Sequence, residues 1–322
     1  MPFIYITRAV PDAATNLLAG ALPDARIEVN PEDRNLNREE LIQAAAGCDA
    51  LICTLADPVD ASFIEDLGPR LKVIATYAVG YNNIDLEAAR NRNIPVCNTP
   101  DVLTDATAEI AVGLILACAR RFIEGDRLTR QGGFTGWAPL LHRGHGVYGK
   151  TVGIVGAGRI GKHVAATLKH GFDCEILYHS RADHVDWEND LGAKLVELGE
   201  LLERSDFVSL HCPLTPDTRH LIDADMLKRM KPTAILVNTA RGPVVDEAAL
   251  VAALTNKRIA GAGFDVYENE PALTPGLGEL DNTVLLPHIG SATFETRDEM
   301  GRMCARAVIA VLTGKEPENR VV

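Results

Sequence analysis

The stretch Thr151-Val-Gly-Ile-Val-Gly156-Ala-Gly158-Arg-Ile-Gly161 constrains this chain more than any other. It reads as a short apolar strand, a glycine-rich turn and the first turn of a helix, the combination that receives a dinucleotide pyrophosphate at a helix N-terminus. Each glycine has a mechanical task. Gly156 permits the tight turn, Gly158 lets the backbone approach the pyrophosphate, and Gly161 lets helix and strand pack closely. Spacing alone carries little weight, because Gly144-His-Gly146-Val-Tyr-Gly149 just upstream has the same G-x-G-x-x-G pattern. No strand-like run precedes that first match and a strand, not a helix, follows it, so it reads as a loop punctuated by glycine. After the second match, Arg159–Leu168 carries helix-compatible residues. The turn lies near the middle of the chain, so a comparable length of protein precedes it.

Strand-like apolar runs alternate with helical patterns on both sides of the turn. Upstream the strands are Phe3–Thr7, Ala50–Thr54, Leu71–Thr76 and Pro95–Asn98, with helical stretches such as Arg38–Ala46 and Asp60–Leu67 between them. Downstream they are Thr151–Val155, Glu175–His179, Phe207–His211, Ala234–Asn238, Gly261–Phe264 and Val284–Leu286. Such β-α alternation implies parallel sheets with helices on both faces. Asp246 and Glu247 open a helix at Asp246–Leu254, where carboxylates suit the helix dipole. Between the two series lies Thr104–Arg121, alanine-rich and free of proline, with capping side chains offered from Thr104 through Thr107. The glycine-rich segment 132–149 has little periodicity, and a last helix fits Ala292–Leu312.

A length of 322 residues suggests about two domains, and 47% hydrophobic residues suffice for two cores. No apolar run reaches membrane-spanning length and no basic-then-apolar leader opens the chain, so a cytoplasmic protein is expected. A net charge of −12 without a basic block argues against nucleic acid or an anionic membrane as partner. Cys48, Cys53, Cys97, Cys118, Cys174, Cys212 and Cys304 stand singly, and read as reduced thiols, not a disulfide framework or metal site.

An NAD-binding turn is normally followed, about 20 residues on, by an acidic residue for the ribose 2′-hydroxyl. Here Ser180 stands 19 residues after Gly161, with Arg181 beside it. A carboxylate would repel a 2′-phosphate, whereas a hydroxyl and a guanidinium would bind one. NADP(H) is therefore expected in preference to NAD(H), with NAD(H) still possible and Asp183 close by as a tempering charge.

Three further residues fall where strands of the second series end: Arg241 after Ala234–Asn238, Glu270 after Gly261–Phe264, and His288 after Val284–Leu286. Ligands of open α/β sheets collect outside the strand C-termini. Each residue has an ordinary alternative: a surface ion pair for the arginine, a turn before Pro271 for the glutamate, a structural histidine. Together they form a set. Arginine clamps a carboxylate, histidine exchanges a proton near neutrality, and a carboxylate beside it orients the ring and favours imidazolium. That set suits nicotinamide-linked reduction of a 2-oxo acid.

With these residues in order, the sequence resembles the D-isomer-specific 2-hydroxyacid dehydrogenases, most closely their glyoxylate/hydroxypyruvate reductase branch. The carriers are Ala78-Val-Gly-Tyr-Asn-Asn-Ile-Asp85, Thr104-Asp-Ala-Thr-Ala-Glu109, the segment 149–161, His211-Cys-Pro-Leu-Thr-Pro216, Asn238-Thr-Ala-Arg-Gly242, Phe264-Asp-Val-Tyr-Glu-Asn-Glu-Pro271 and Leu286-Pro-His-Ile-Gly-Ser-Ala292. The resemblance implies an α/β fold of two doubly wound parallel-sheet domains, a Rossmann dinucleotide-binding domain inserted into a flavodoxin-like substrate domain. The substrate domain would be 1–98 plus 290–322, and the NAD(P)-binding domain 99–289 with a dimerisation arm at 125–148. Arg241 would bind the substrate carboxylate, His288 would donate the proton in reduction, and Glu270 would be its partner. Amides of Val79 and Gly80 would hold the substrate carboxylate. Arg159 and Ile160 would sit at the pyrophosphate, Asp265 at the nicotinamide carboxamide, and Cys212, Pro213, Ala240 and Gly290 along the cofactor, with Thr107 and Thr218 as weaker contributors. A homodimer is implied, with Trp137 on the arm either packing or reaching the partner's site.

The favoured expectation is an NADPH-preferring reductase of a small 2-keto acid, such as glyoxylate, hydroxypyruvate or 2-ketogluconate. A 3-phosphoglycerate dehydrogenase-like enzyme is the alternative within the fold. The stretch after His288 would leave little room for the regulatory domain many such enzymes carry, but forms lacking that domain exist in the family, so length alone does not exclude the alternative. From another class, a dinucleotide-sensing corepressor-like binding protein can retain the same three residues.

Overall fold

A computed structural model describes all residues, 1–322. The chain forms two compact units, Met1–Leu103 with Ser291–Val322, and Thr104–Gly290.

The first unit is built from β1 (Phe3–Ile6), α1 (Asp12–Ala21), β2 (Arg26–Val29), α2 (Arg38–Ala45), β3 (Ala50–Cys53), α3 (Ala61–Asp66), β4 (Val73–Thr76), α4 (Leu86–Asn91) and β5 (Val96–Cys97). Its sheet runs β2-β1-β3-β4-β5, every pair parallel, which is the flavodoxin-like order. β1, β3 and β4 are buried along their whole length, as strands covered by helices on both faces must be. β2 was not anticipated. Its residues Arg26-Ile-Glu-Val29 lie on an edge and are only partly buried, so they lack the continuous apolar run that marks the central strands. At the opposite edge, Val321 donates its amide to the Val96 carbonyl, 2.7 Å, covering backbone that would otherwise be unpaired.

The second unit contains α5 (Thr104–Ala119), α6 (Phe122–Arg130), β6 (Thr151–Val155), α7 (Arg159–Phe172), β7 (Glu175–His179), α8 (Val185–Leu191), β8 (Lys194–Leu195), α9 (Leu198–Arg204), β9 (Phe207–Leu210), α10 (Ala224–Arg229), β10 (Ile235–Asn238), α11 (Glu247–Thr255), β11 (Gly261–Phe264) and β12 (Thr283–Leu285). The chain then returns to the first unit as α12 (Phe294–Leu312). The seven-stranded sheet runs β12-β11-β10-β9-β6-β7-β8, all parallel, with the strand order reversing at β6. This doubly wound pattern places its switch point beside the Gly156 turn.

α5 buries Ala108, Ala111, Leu114, Ile115 and Ala119 within the second unit. Gly263 on β11 allows the close approach, since a Cβ there would lie 3.0 Å from Leu114 Cβ. The expected cap at its start does not use Thr107, which lies inside the helix with its hydroxyl donating to the Gly290 carbonyl, 3.2 Å. α6 escaped the sequence reading because it buries no residue and so shows no apolar stripe. In the first unit α12 packs on α1, where a Cβ on Gly301 would stand 3.1 Å from Ala14 Cβ.

Candidate active site

The glycine turn follows β6 at the middle of its sheet. Gly156 has φ +100°, and a Cβ there would lie 2.5 Å from the Cys212 amide nitrogen and 2.6 Å from the His211 carbonyl carbon. Neither the conformation nor the space admits a side chain. A Cβ on Gly161 would fall 2.5 Å from the Gly156 carbonyl oxygen and 3.0 Å from Ile154 Cγ2, so the packing of α7 on β6 depends on that glycine. Gly158 differs: no atom lies within 4 Å of a Cβ built on it, so nothing in the protein demands a glycine. It is also the N-cap residue of α7 and offers no side chain to the helix's first amides. Open space over a glycine, beside uncapped amides at the positive end of a helix whose first residues are Arg159 and Ile160, fits a pyrophosphate. The upstream match at 144–149 lies outside any helix or strand.

At the end of β7, Ser180 Oγ lies 3.4 Å from His184 Nε2, and Arg181 is exposed with no carboxylate partner. Asp183 is engaged elsewhere, accepting the Tyr178 hydroxyl at 3.0 Å. His179 Nδ1 donates to the Val196 carbonyl, 3.1 Å.

The loop after β9 begins at His211, whose Nε2 lies 2.8 Å from Ser209 Oγ. Burial depresses the His211 imidazole to about 3, and pushes the Cys212 thiol up to about 11. Thr218 Oγ1 donates to the Pro213 carbonyl, 2.6 Å, and accepts the Thr215 amide, 2.8 Å. Its hydroxyl therefore shapes the 213–218 loop.

Arg241, Glu270, His288 and Asp265 come together at the ends of β10, β11 and β12. Asn238, fully buried, caps the first turn: its Oδ1 accepts the Ala240 amide, 3.0 Å, and its Nδ2 donates to the Arg241 carbonyl, 2.9 Å. The Arg241 guanidinium donates to the Ala240 carbonyl, 2.7 Å. Burial lowers its pKa, opposed by the charge of Glu270. His288 Nδ1 and Glu270 Oε2 are 2.8 Å apart, and Glu270 Oε1 accepts the Tyr267 amide, 3.0 Å. Burial alone would raise the Glu270 carboxyl. The bond and charge of His288, the Tyr267 amide and Arg241 outweigh it and hold the group below the usual carboxylate range. With Nδ1 engaged, Nε2 is the His288 nitrogen left for a substrate oxygen. His288 sits at φ +55°, a left-handed conformation rare outside glycine and asparagine.

Asp265 holds that turn in place. Its two carboxylate oxygens accept the amides of Ile289 and Gly290, each at 2.7 Å. Burial raises its pKa against those bonds and the charge of His288. The sequence had reserved Asp265 for a cofactor amide; the structure shows that the same carboxylate already orders the residues after His288. Each oxygen retains lone-pair capacity for a second donor. Gly242 was also missed: a Cβ there would lie 1.8 Å from the Tyr267 carbonyl carbon, so only glycine lets the Arg241 turn pass beneath the Glu270 loop. The signal was present in Asn238-Thr-Ala-Arg-Gly242, but its reason is a contact between segments distant in sequence.

In the first unit, Val79 and Gly80 occupy the turn after β4. Asn98 Nδ2 donates to the Val79 carbonyl, 2.8 Å, and the Thr99 amide to Ala78, 2.9 Å. Asn83 Nδ2 donates to the carbonyls of Thr54, 3.0 Å, and Asp57, 2.8 Å, fixing the rest of the loop. Tyr77 gives its hydroxyl to the Arg297 carbonyl of α12. On the segment after α6, Trp137 is 85% exposed and Leu140 and Tyr148 are each 72% exposed. No helix is long and apolar enough to cross a membrane.

The family model described as "D-isomer specific 2-hydroxyacid dehydrogenase, NAD binding domain" matches residues 112–290. A glyoxylate reductase of Thermococcus gammatolerans is 48% identical over 99% of this chain and 96% of its own length. Among solved structures, a protein of Thermus thermophilus superposes with TM-score 0.92 at 42% identity, covering 99% of this chain and 100% of that one. An NADPH-dependent glyoxylate/hydroxypyruvate reductase from Sinorhizobium meliloti, in complex with citrate, superposes with TM-score 0.85 at 31% identity, covering 100% and 97%.

Proposed function

This chain belongs to the D-isomer-specific 2-hydroxyacid dehydrogenases, and from that premise we propose that it reduces small 2-keto acids, glyoxylate, hydroxypyruvate or 2-ketogluconate, to D-2-hydroxy acids with NADPH. It is an oxidoreductase with a nicotinamide dinucleotide-binding unit at Thr104–Gly290. The observation that carries the reading is the 2.8 Å pair of His288 and Glu270 beside the half-buried Arg241.

A dinucleotide held at the Gly156–Gly161 turn would supply the hydride for the substrate carbonyl carbon. Arg241 binds the substrate carboxylate, and a buried guanidinium does so more strongly than one in water. His288, with its Nδ1 fixed by Glu270, gives a proton from Nε2 to the alkoxide that develops as the carbonyl is reduced. The Met1–Leu103 and Ser291–Val322 unit serves as the substrate domain, and within it the amides of Val79 and Gly80 are donors for a substrate carboxylate. Preference for NADPH rests on Arg181, which has no partner of its own, and on Asp183, which Tyr178 holds. The NADPH dependence of the Sinorhizobium relative supports the same choice. The exposed Trp137, Leu140 and Tyr148 support a homodimer in which the arm at 125–148 meets the second subunit.

Initial rates on a panel of 2-keto acids, each with NADPH and NADH, test the proposal. Turnover of the three substrates with NADPH favoured is expected. Tight cofactor binding with no turnover of any keto acid would instead favour a dinucleotide-sensing binding protein.

A further inference from the structure

Glu247 is the fully buried carboxylate that the reaction does not use. It is the first residue of α11, where Asp246 already caps the helix by accepting the Ala249 amide, 2.9 Å. The Glu247 side chain turns away from its own helix. Oε1 accepts the Glu268 amide at 2.7 Å, and Oε2 accepts the Thr274 hydroxyl at 2.6 Å. These two attachments lie on the loop that carries Glu270, one on either side of it. The neighbouring Tyr267 amide is itself the donor that holds Glu270 Oε1. At the same residue, the Glu268 side chain accepts His220 Nε2 at 2.6 Å and lies 3.3 Å from an Arg219 nitrogen. That second tether does not involve the Thr274 hydroxyl.

We propose that Glu247 is a positioning residue for the acid–base pair: by gripping Glu268 and Thr274 it fixes the loop so that Glu270 meets His288 in the productive orientation. The inference rests on the reading of Glu270 and His288 as that pair. A buried acceptor with two donors from one loop is an economical clamp, because losing it frees both attachments and strands a backbone amide in the interior.

The experiment compares E247A, E247Q, T274V and E270Q in the full chain. Read-outs are kcat and KM for keto-acid reduction, the pH at which kcat/KM falls off, and direct NADPH binding. For E247A we expect kcat to fall about tenfold or more, NADPH affinity to stay within about twofold, and the basic limb to move in the same direction as in E270Q. E247Q should recover most of the loss, because its oxygen can accept from Glu268 and its amide can donate to the Thr274 hydroxyl. T274V, which removes one attachment and keeps the side-chain volume, should give a smaller shift of the same sign and serves if E247A does not fold. In the double variant E247A/E270Q the losses should not add. An unmoved pH limb and kcat in folded E247A or T274V, or additive losses, overturns the positioning role while E270Q still shows its own defect. If E270Q is itself without effect, the acid–base reading fails and this inference falls with it.

Discussion

Replacing Glu270 with glutamine keeps the shape of the pair and removes its charge. The geometry dictates how the amide must sit. Tyr267 presents an N–H to the Oε1 position at 3.0 Å, so the glutamine oxygen is drawn there and its NH2 faces His288 Nδ1. That NH2 can donate to a neutral ring but confronts the N–H of an imidazolium, so the variant penalises the proton-donating form twice. A hydrogen bond to a charged group contributes about 1.5–3 kcal/mol. Both side chains are 36% exposed, and solvent screening brings the effect just below that range, to about 1.4 kcal/mol. That corresponds to about tenfold in rate. Reduction needs the protonated ring, so kcat/KM is high at low pH and falls as pH rises. In the variant this fall should come at lower pH, because the Glu270 charge that faces His288 is gone. Initial rates of NADPH oxidation with glyoxylate, from roughly pH 5 to pH 9, measure it. A limb that stays in place, with neutral-pH kcat/KM within about twofold of the parent, would refute the role given to Glu270.

Arg181→Ala should raise KM for NADPH roughly tenfold and leave KM for NADH nearly unchanged, because the lost contact is to the 2′-phosphate alone; equal effects on both cofactors would remove the basis for the preference. Gly161→Ala puts a Cβ 2.5 Å from the Gly156 carbonyl, and should lower stability by about 1–3 kcal/mol and weaken dinucleotide binding. Denaturant unfolding with and without NADPH checks this, and an unchanged midpoint would show that the helix can shift at no cost. His211 is held neutral down to about 3, so the unfolded chain takes up its proton as pH drops below roughly 6.5 while the folded chain does not. Its contribution is complete above that value and should decline by about 2 kcal/mol on reaching pH 5, and His211→Asn should flatten this part of the acid limb in thermal unfolding. An acid limb identical in the variant assigns the loss to other groups.

Alternation of apolar runs located the central strands, with Thr151–Val155, Glu175–His179 and Gly261–Phe264 matching to the residue. They were legible because buried parallel strands must be apolar throughout. β8 is two exposed residues, Lys194 and Leu195, and α6 has no buried face, so neither left a hydrophobic pattern to read. Glu247 was legible only as a helix-opening carboxylate, because local sequence says nothing of which loop passes over a side chain.

Composition, periodicity and the glycine spacing by themselves determined an α/β protein with a dinucleotide turn, because each of those signals is set within one strand or one turn of helix. They also placed Arg241, Glu270 and His288 at strand ends. The tertiary structure alone decided the strand orders, the 2.8 Å approach of His288 to Glu270 across 18 residues, and the use of Asp265 to hold the turn after His288. It also decided why Gly242 must be glycine, since its constraint comes from Tyr267 on another loop. Those features depend on backbones brought together from separate strands, and a distance between separate strands has no signature in either strand's sequence.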